Sequence, residues 1–215
     1  MILALNGSPR QKGNTAAMLQ AALDGAASTG AETQLIQLYP LKFKGCMSCF
    51  SCKLKGGRHA FCSMKDGLTP ILDMMSKADA LIFGSPIYYY NVTPELLALL
   101  HRFMFSNMLY TKENRWQFPR KVPSGFVYTF GVGPELTENI IKPFEAIHTR
   151  MGDMLGFAPE VCCAANAWQF RDYSQYEADL FDEAAKRKYR EEVFPQELQK
   201  ARAMGRSLAM KARTA

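Results

Sequence analysis

Asn6-Gly7-Ser8-Pro9-Arg10-Gln11-Lys12-Gly13-Asn14-Thr15 lies between a short apolar run at residues 1–6 and a segment whose Leu19, Ala22, Leu23 and Ala26 share one helical face. A strand that passes through a polar, glycine-bearing turn into a helix is the opening of a parallel-sheet unit. Gly7 and Gly13 let the backbone turn tightly and approach a ligand. Ser8, Asn14 and Thr15 add small polar side chains, the N–H groups opening the helix add the positive end of its dipole, and Arg10 and Lys12 add charge. Together these parts can cradle a phosphate. The plainer reading is a polar turn in which Asn14 or Thr15 caps the helix. The position after the first strand and the density of donors favour phosphate. The stretch is neither G-x-G-x-x-G nor G-x-x-x-x-G-K-[ST], so an ordinary dinucleotide fold or an NTPase is not indicated.

Outward from this loop the chain alternates strand and helix signals. Residues 33–38 read as a second strand and 66–77 as a second helix. A third apolar run follows at 80–84, then a helix over about 94–108. Residues 124–130 make a fourth strand. Ile140, Phe144, Ile147, Met151 and Leu155 then recur at helical spacing, and 161–167 reads as a fifth strand. Strands that are apolar throughout belong to a parallel sheet covered on both faces. Five such units predict an α/β, doubly wound parallel sheet, of which the flavodoxin-like order is one of two common forms. The expected organisation is a single domain over 1–215, with a long aperiodic segment at 42–66 and a C-terminal segment at 174–215. That last segment reads as helical from Ala178 with a break at Pro195, serving as a sheet-covering helix, an oligomerisation arm or both.

Composition agrees with one soluble globular domain: 215 residues, 48% hydrophobic and 21% charged. The first residues carry no basic stretch ahead of their apolar run, and no apolar run is long enough for a bilayer, so the expectation is a cytoplasmic protein without a membrane partner. The formal charge of +6 gathers toward the C-terminus, where Lys and Arg alternate with Glu183, Glu191, Glu192 and Glu197. That is the pattern of solvated helix faces rather than of a phosphate-tracking groove, so no nucleic acid is expected.

A second loop follows the third strand: Gly84-Ser85-Pro86-Ile87-Tyr88-Tyr89-Tyr90-Asn91-Val92-Thr93-Pro94. Thr93 and Pro94 suit an N-cap and first helical position. Three tyrosines at a ligand-side strand end can wall a planar ring, or simply pack in the core or at a subunit contact. Taken in order, GSPRQKGNT and GSPIYYYNVTPEL resemble the FMN-binding loops of the NADPH-dependent FMN reductase group of flavodoxin-like proteins. The resemblance implies FMN, with phosphate contacts on Ser8, Arg10, Gly13, Asn14 and Thr15. Its ring contacts would fall on Pro86, Ile87, Tyr88, Asn91, Val92 and Thr93. A third loop, Thr129-Phe130-Gly131-Val132-Gly133-Pro134, matches in position and glycine content, which adds Gly131 and Gly133. The chemistry would then take place at flavin N5, and no catalytic side chain is nominated. Backbone N–H groups around 91–93 or 131–133 are the expected donors to the reduced ring.

Within 42–66 lie Cys46, Cys49 and Cys52 at successive C-x-x-C spacing, and Cys62 further on. Long loops in compact domains are usually functional or disordered, and four thiols make the Cys₄ set of an iron–sulfur cluster. The segment resembles the cysteine motif of iron–sulfur flavoproteins within the same group, which implies a 4Fe–4S cluster on Cys46, Cys49, Cys52 and Cys62. The last spacing is longer than that family leads one to expect, filled by residues 56–61; lengthening a flexible loop costs little entropy. Zinc and reduced thiols without metal are the alternatives, and zinc prefers two separated C-x₂-C pairs. Cys162 and Cys163 read as small core residues, and His59, His101 and His148 as structural or surface residues.

The expected function is an FMN-dependent oxidoreductase relaying electrons between FMN and a 4Fe–4S cluster, with a ferredoxin or a nicotinamide donor as partner. A metal-free NAD(P)H-dependent flavin, quinone or nitro-compound reductase is the alternative, and a thiol and flavin redox-sensing module a third. The helix after the tyrosine loop is apolar around most of its circumference. With the subunit pairing of related flavoproteins, that implies a homodimer or a dimer of dimers.

Overall fold

The computed structural model describes residues 1–215 except Arg58 and Asn114, so the Arg58 position of the 56–61 insertion lies outside the described residues. The elements run β1 (Ile2–Asn6), α1 (Asn14–Ala27), β2 (Thr33–Gln37), α2 (Thr69–Lys77), β3 (Ala80–Pro86), α3 (Pro94–Ser106) and β4 (Ser124–Thr129). Then come α4 (Thr137–Ile141), α5 (Glu145–Leu155), β5 (Glu160–Ala164), α6 (Glu183–Glu192) and α7 (Phe194–Ala212). Among the described residues, five strands form one sheet in the order β2-β1-β3-β4-β5. Every pairing is parallel, from Ile2 opposite Thr33 and Ala80 to Gly125 opposite Glu160. This is the flavodoxin-like doubly wound order.

The strands lack polar alternation because both faces of the sheet are buried. Leu3, Leu5, Leu81, Phe83, Phe126 and Tyr128 point to a core closed by Leu96, Leu99 and Phe103 of α3 and Met151 and Leu155 of α5. Their sequence neighbours Ile2, Ala4, Ala80, Ile82 and Val127 point the other way, onto α1 and α7. Those two helices touch backbone to backbone. A Cβ on Gly25 would lie 1.9 Å from the Arg202 carbonyl oxygen, and one on Gly205 1.8 Å from that of Ala22. The C-terminal segment is therefore a sheet-covering element, held through contacts that only glycine permits.

Three boundaries depart from the sequence reading. α2 begins at Thr69 rather than 66, because Asp66 serves the turn before it: its backbone N–H donates to Thr69 Oγ1 and its carboxylate accepts from the Leu68 N–H. β5 stops at Ala164 because Asn166 takes a left-handed φ of 42°, and the chain folds back so that Ala167 N–H donates to Phe130 O. The C-terminal helices start at Glu183 and divide at Val193, with Pro195 inside the first turn of α7, where its missing N–H costs nothing. Among the described residues, no helix is long and apolar enough to cross a membrane.

α3 also explains its own apolar circumference. The 42–66 segment lies along it: Gly45 faces Ala98, the Phe50 and Phe105 rings meet edge to face at 6.0 Å, and Ala60 N–H donates to Ser106 O. Part of the surface that suggested a subunit contact is thus covered by the chain itself.

Candidate functional site: a flavin-sized cavity and a cysteine cleft

The loop after β1 is organised by its own hydrogen bonds: Ser8 N–H to Asn6 Oδ1 at 3.0 Å and Arg10 N–H to Ser8 Oγ at 3.1 Å. α1 then starts from Gly13 with no side-chain cap. The plainer alternative, in which Asn14 or Thr15 caps the helix, does not occur. Thr15 Oγ1 shares a buried 2.8 Å hydrogen bond with Thr129 Oγ1 at the end of β4, and the Asn14 amide donates to the Trp168 carbonyl at 2.9 Å. Among the described residues no side chain caps the first-turn N–H groups, which no helix can satisfy internally and which can serve another acceptor. Asn14 also accepts from Arg190, and Arg10 donates to the Gln169 carbonyl. Two residues assigned to phosphate therefore also tie down the loop after β5.

On the ring side, Ile87 N–H donates to the Thr129 carbonyl, and Tyr88 and Asn91 exchange backbone hydrogen bonds across a two-residue turn. Tyr89 and Tyr90 hold φ of 47° and 61° there, left-handed values that cost a non-glycine residue about 1 kcal/mol or more. Tyr89 is fully exposed. The donors expected at 91–93 are already engaged: Asn91 N–H with Tyr88 O, Val92 N–H with Asn91 Oδ1, and Thr93 N–H with Ser85 Oγ. Thr93 and Val92 are buried. Asn91, Val92 and Thr93 stay off the cavity wall and brace the loop instead.

The two loops and the turns after β4 and β5 enclose a cavity of about 940 Å³, within the usual range for cofactor pockets. Ser8, Arg10, Gly13, Asn14, Thr15, Pro86, Ile87, Tyr88 and Gly131 all line it; Gly133 does not. Sequence reasoning missed its other wall, residues 167–176. There Trp168 meets Tyr173 at 4.8 Å, and Phe170 stacks on Tyr176 at 4.1 Å. The aromatic density of Trp168–Gln169–Phe170 just past a strand end was the available signal. Arg171 and Arg190 join Arg10 and Lys12 around the cavity. An uncapped helix start, several cations and aromatic walls fit a phosphorylated planar cofactor such as FMN.

Lys186 of α6 was also missed. It is 2% exposed, and its Nζ donates to Gly131 O at 2.7 Å, Asn166 Oδ1 at 2.9 Å and Ala167 O at 3.4 Å. Burial pulls its pKa below the ordinary lysine value. One ammonium thus joins the loops after β4 and β5.

Cys46, Cys49, Cys52 and Cys62 line one small cleft of about 20 Å³, together with Arg102, Phe105 and Ser106 of α3. Cys46 and Cys49 are exposed, Cys52 buried and Cys62 half-buried. Left-handed Ser48 and Phe50 turn the chain on either side of Cys49. Hydrogen bonds from Ser51, and another from Ser63, lower the Cys49 thiol to about 7. Among the described residues, no three Cys, His, Asp or Glu side chains come close enough to hold one metal ion. Four thiols around one cleft nevertheless fit an iron–sulfur cluster, whose thiolates sit on separate irons. The cleft has room for about one water, so the loop must open to admit a cluster. Cys162 and Cys163 lie in β5, where burial pushes their thiols up to about 11 and about 12.

Residues 1–133 match the NADPH-dependent FMN reductase family. An iron-sulfur flavoprotein of Methanocaldococcus jannaschii is 36% identical over 101 residues, 47% of this chain and 50% of that one. An iron-sulfur flavoprotein of Archaeoglobus fulgidus is 36% identical over 107 residues, 50% of each chain. The chain thus spans about half the length of the curated relatives it matches. Among solved structures, an NAD(P)H:quinone oxidoreductase from Methanothermobacter marburgensis superposes with a TM-score of 0.66 at 17% identity, covering 96% of both chains. An azoreductase from Bacillus anthracis gives 0.59 at 13% identity, covering 96% of this chain and 98% of that one. Identities this low speak to the fold.

Proposed function

The chain belongs to the NADPH-dependent FMN reductase family, and from that premise we propose that it is an FMN-dependent oxidoreductase passing electrons between FMN and a 4Fe–4S cluster held by Cys46, Cys49, Cys52 and Cys62. The observation that carries this reading is that α3 serves both places. Its N-cap Thr93 braces the cavity loops, and Arg102, Phe105 and Ser106 form the back of the cysteine cleft. From Thr93 to Arg102 the helix rises only about 13 Å. The names of the archaeal relatives add support.

Bound FMN would supply hydride or single-electron exchange at N5, and the cluster single-electron exchange. The protein's part is binding and orientation. Ser8, Gly13 and the open first turn of α1 would receive the phosphate, with Arg10, Lys12 and Arg190 balancing its charge. Ile87, Tyr88 and Trp168 would flank the ring, and Gly131, held by Lys186, would approach its edge. With a cluster present, a small one-electron donor such as a ferredoxin is the matching partner. A homodimer pairing across the exposed Tyr89 and Tyr90 would cover the cavity mouth.

The closed cleft favours a second reading, a metal-free NAD(P)H-dependent reductase. Anaerobic reduction of the FMN-loaded protein distinguishes the two. Rapid reduction by reduced ferredoxin and slow reduction by NADPH and NADH supports the first; the reverse order supports the second. Light scattering that finds only a monomer removes the dimer.

A further inference from the structure

Arg102 stands out from the rest of α3. In a helix whose other large buried side chains are apolar, its side chain has no solvent exposure. A buried guanidinium is expensive unless its donors are used. One Nη donates to Asp66 Oδ2 at 2.6 Å and to the Lys44 carbonyl at 3.1 Å; the other donates to the Met64 carbonyl at 3.3 Å. Lys44 lies two residues before Cys46, and Met64 and Asp66 lie just after Cys62. The base of the segment closes around the same point, with Lys44 N–H donating to Asp66 Oδ2 and Gly67 N–H to Lys42 O. Arg102 therefore holds together the two ends of the loop that carries all four cysteines.

One donor is left over. The Arg102 Nε is buried and has no hydrogen-bond partner among the described residues, while Arg102 forms part of the wall of the cysteine cleft. Asp66 cancels the formal charge, so what Arg102 can offer the cleft is a hydrogen bond. A thiolate sulfur accepts hydrogen bonds, and such bonds to ligand sulfurs are among the determinants of a cluster's potential.

Resting on the reading of the cysteines as cluster ligands, we propose that Arg102 is the positioning residue of that site. It clamps the two ends of the cysteine loop and donates its Nε–H to a thiolate sulfur in the cleft. Asp66 orients the fork, and the clamp keeps Cys52 and Cys62, ten positions apart, on one cleft despite the insertion between them. The lever is an outer-shell hydrogen bond, of the kind whose loss weakens metal retention roughly ten- to hundredfold.

The test compares wild type, Arg102→Lys and Asp66→Asn, each reconstituted anaerobically with ferrous iron and sulfide. Lysine keeps the charge and removes both the fork and the Nε–H. In Arg102→Lys, iron should be lost to a chelator on the order of tenfold faster, and the cluster's midpoint potential, read by electron paramagnetic resonance, should become more negative. FMN content and far-UV circular dichroism should stay at wild-type levels. Asp66→Asn should loosen the loop and leave the potential near wild type. An Arg102→Lys protein with wild-type iron retention and potential overturns the proposal. Should Arg102→Lys not fold, wild-type iron retention in Asp66→Asn overturns the clamp. If wild-type protein takes up no iron, the cluster reading fails instead. The clamp is then judged in metal-free protein by hydrogen exchange of residues 42–66, which Arg102→Lys should accelerate on the order of tenfold. Unchanged protection there overturns it.

Discussion

The Thr93 hydroxyl donates a 2.6 Å hydrogen bond to the Gly7 carbonyl oxygen across 86 residues of sequence. It joins the loop after β1 to the loop after β3, and so sets the separation of the two loops that line the cavity. Both groups are buried, so removing the hydroxyl leaves a carbonyl without its partner, at a cost of about 1–3 kcal/mol. Thr93→Val should therefore lower stability by about that amount. It should also weaken FMN binding roughly tenfold, read by quenching of flavin fluorescence on titration. Unchanged affinity would mean that the two loops are spaced by something else.

Lys186 ties Gly131 to Asn166 and Ala167. Lys186→Met keeps the aliphatic stem and removes all three bonds. Loosening of both loops should reduce FMN affinity by about tenfold or more, at about 1.5–3 kcal/mol for the charged hydrogen bonds lost. Far-UV circular dichroism should not change, because the bonds removed run from a side chain to loop groups and not within any helix or strand. Calorimetric titration with FMN checks it.

Gly205→Ala tests the packing of α7. A methyl group 1.8 Å from the Ala22 carbonyl oxygen cannot be accommodated unless the helices separate. The expected loss is about 3 kcal/mol of stability, measured by urea unfolding, whereas alanine in a free helix would be favourable. A neutral result would contradict the close contact.

His148 gives a pH dependence of known sign. Burial lowers its pKa from 6.5 to about 4, and it shares a 2.8 Å hydrogen bond with the buried Tyr128 hydroxyl. Between those values the unfolded chain binds a proton that the folded chain refuses. Stability should therefore fall as pH drops from 6.5 toward 4, by about 1–2 kcal/mol after allowing for solvent screening of the partly exposed imidazole. His148→Gln, which retains a hydrogen-bonding group and does not titrate, should flatten that slope in urea titrations on either side of the window.

The strands were legible because neighbouring residues such as Leu3 and Ala4 both enter a core, one on each face, and uninterrupted apolar runs follow from that. The loop after β1 and the cysteine spacing could be read because their chemistry is local. Trp168 reaches the cavity, and Lys186 the loops beside it, only through the return of the chain past β5; the aromatic run 168–170 marks the segment but not where the chain returns. Thr93 is the N-cap residue the sequence suggests, but its hydroxyl caps no helix N–H and donates to Gly7 O, a partner that only the β1–β3 pairing brings near. Arg102 carried a usable signal: an arginine inside an apolar helix needs buried acceptors, and the cysteine loop supplies them.

The most direct test of the account is the content of FMN, iron and acid-labile sulfide per chain in protein purified anaerobically. One FMN with about four irons and four sulfides is expected per folded chain. FMN without iron or sulfide would contradict the cluster and leave the metal-free reductase. Protein that neither contains FMN nor binds it when FMN is added would contradict the flavin cavity itself.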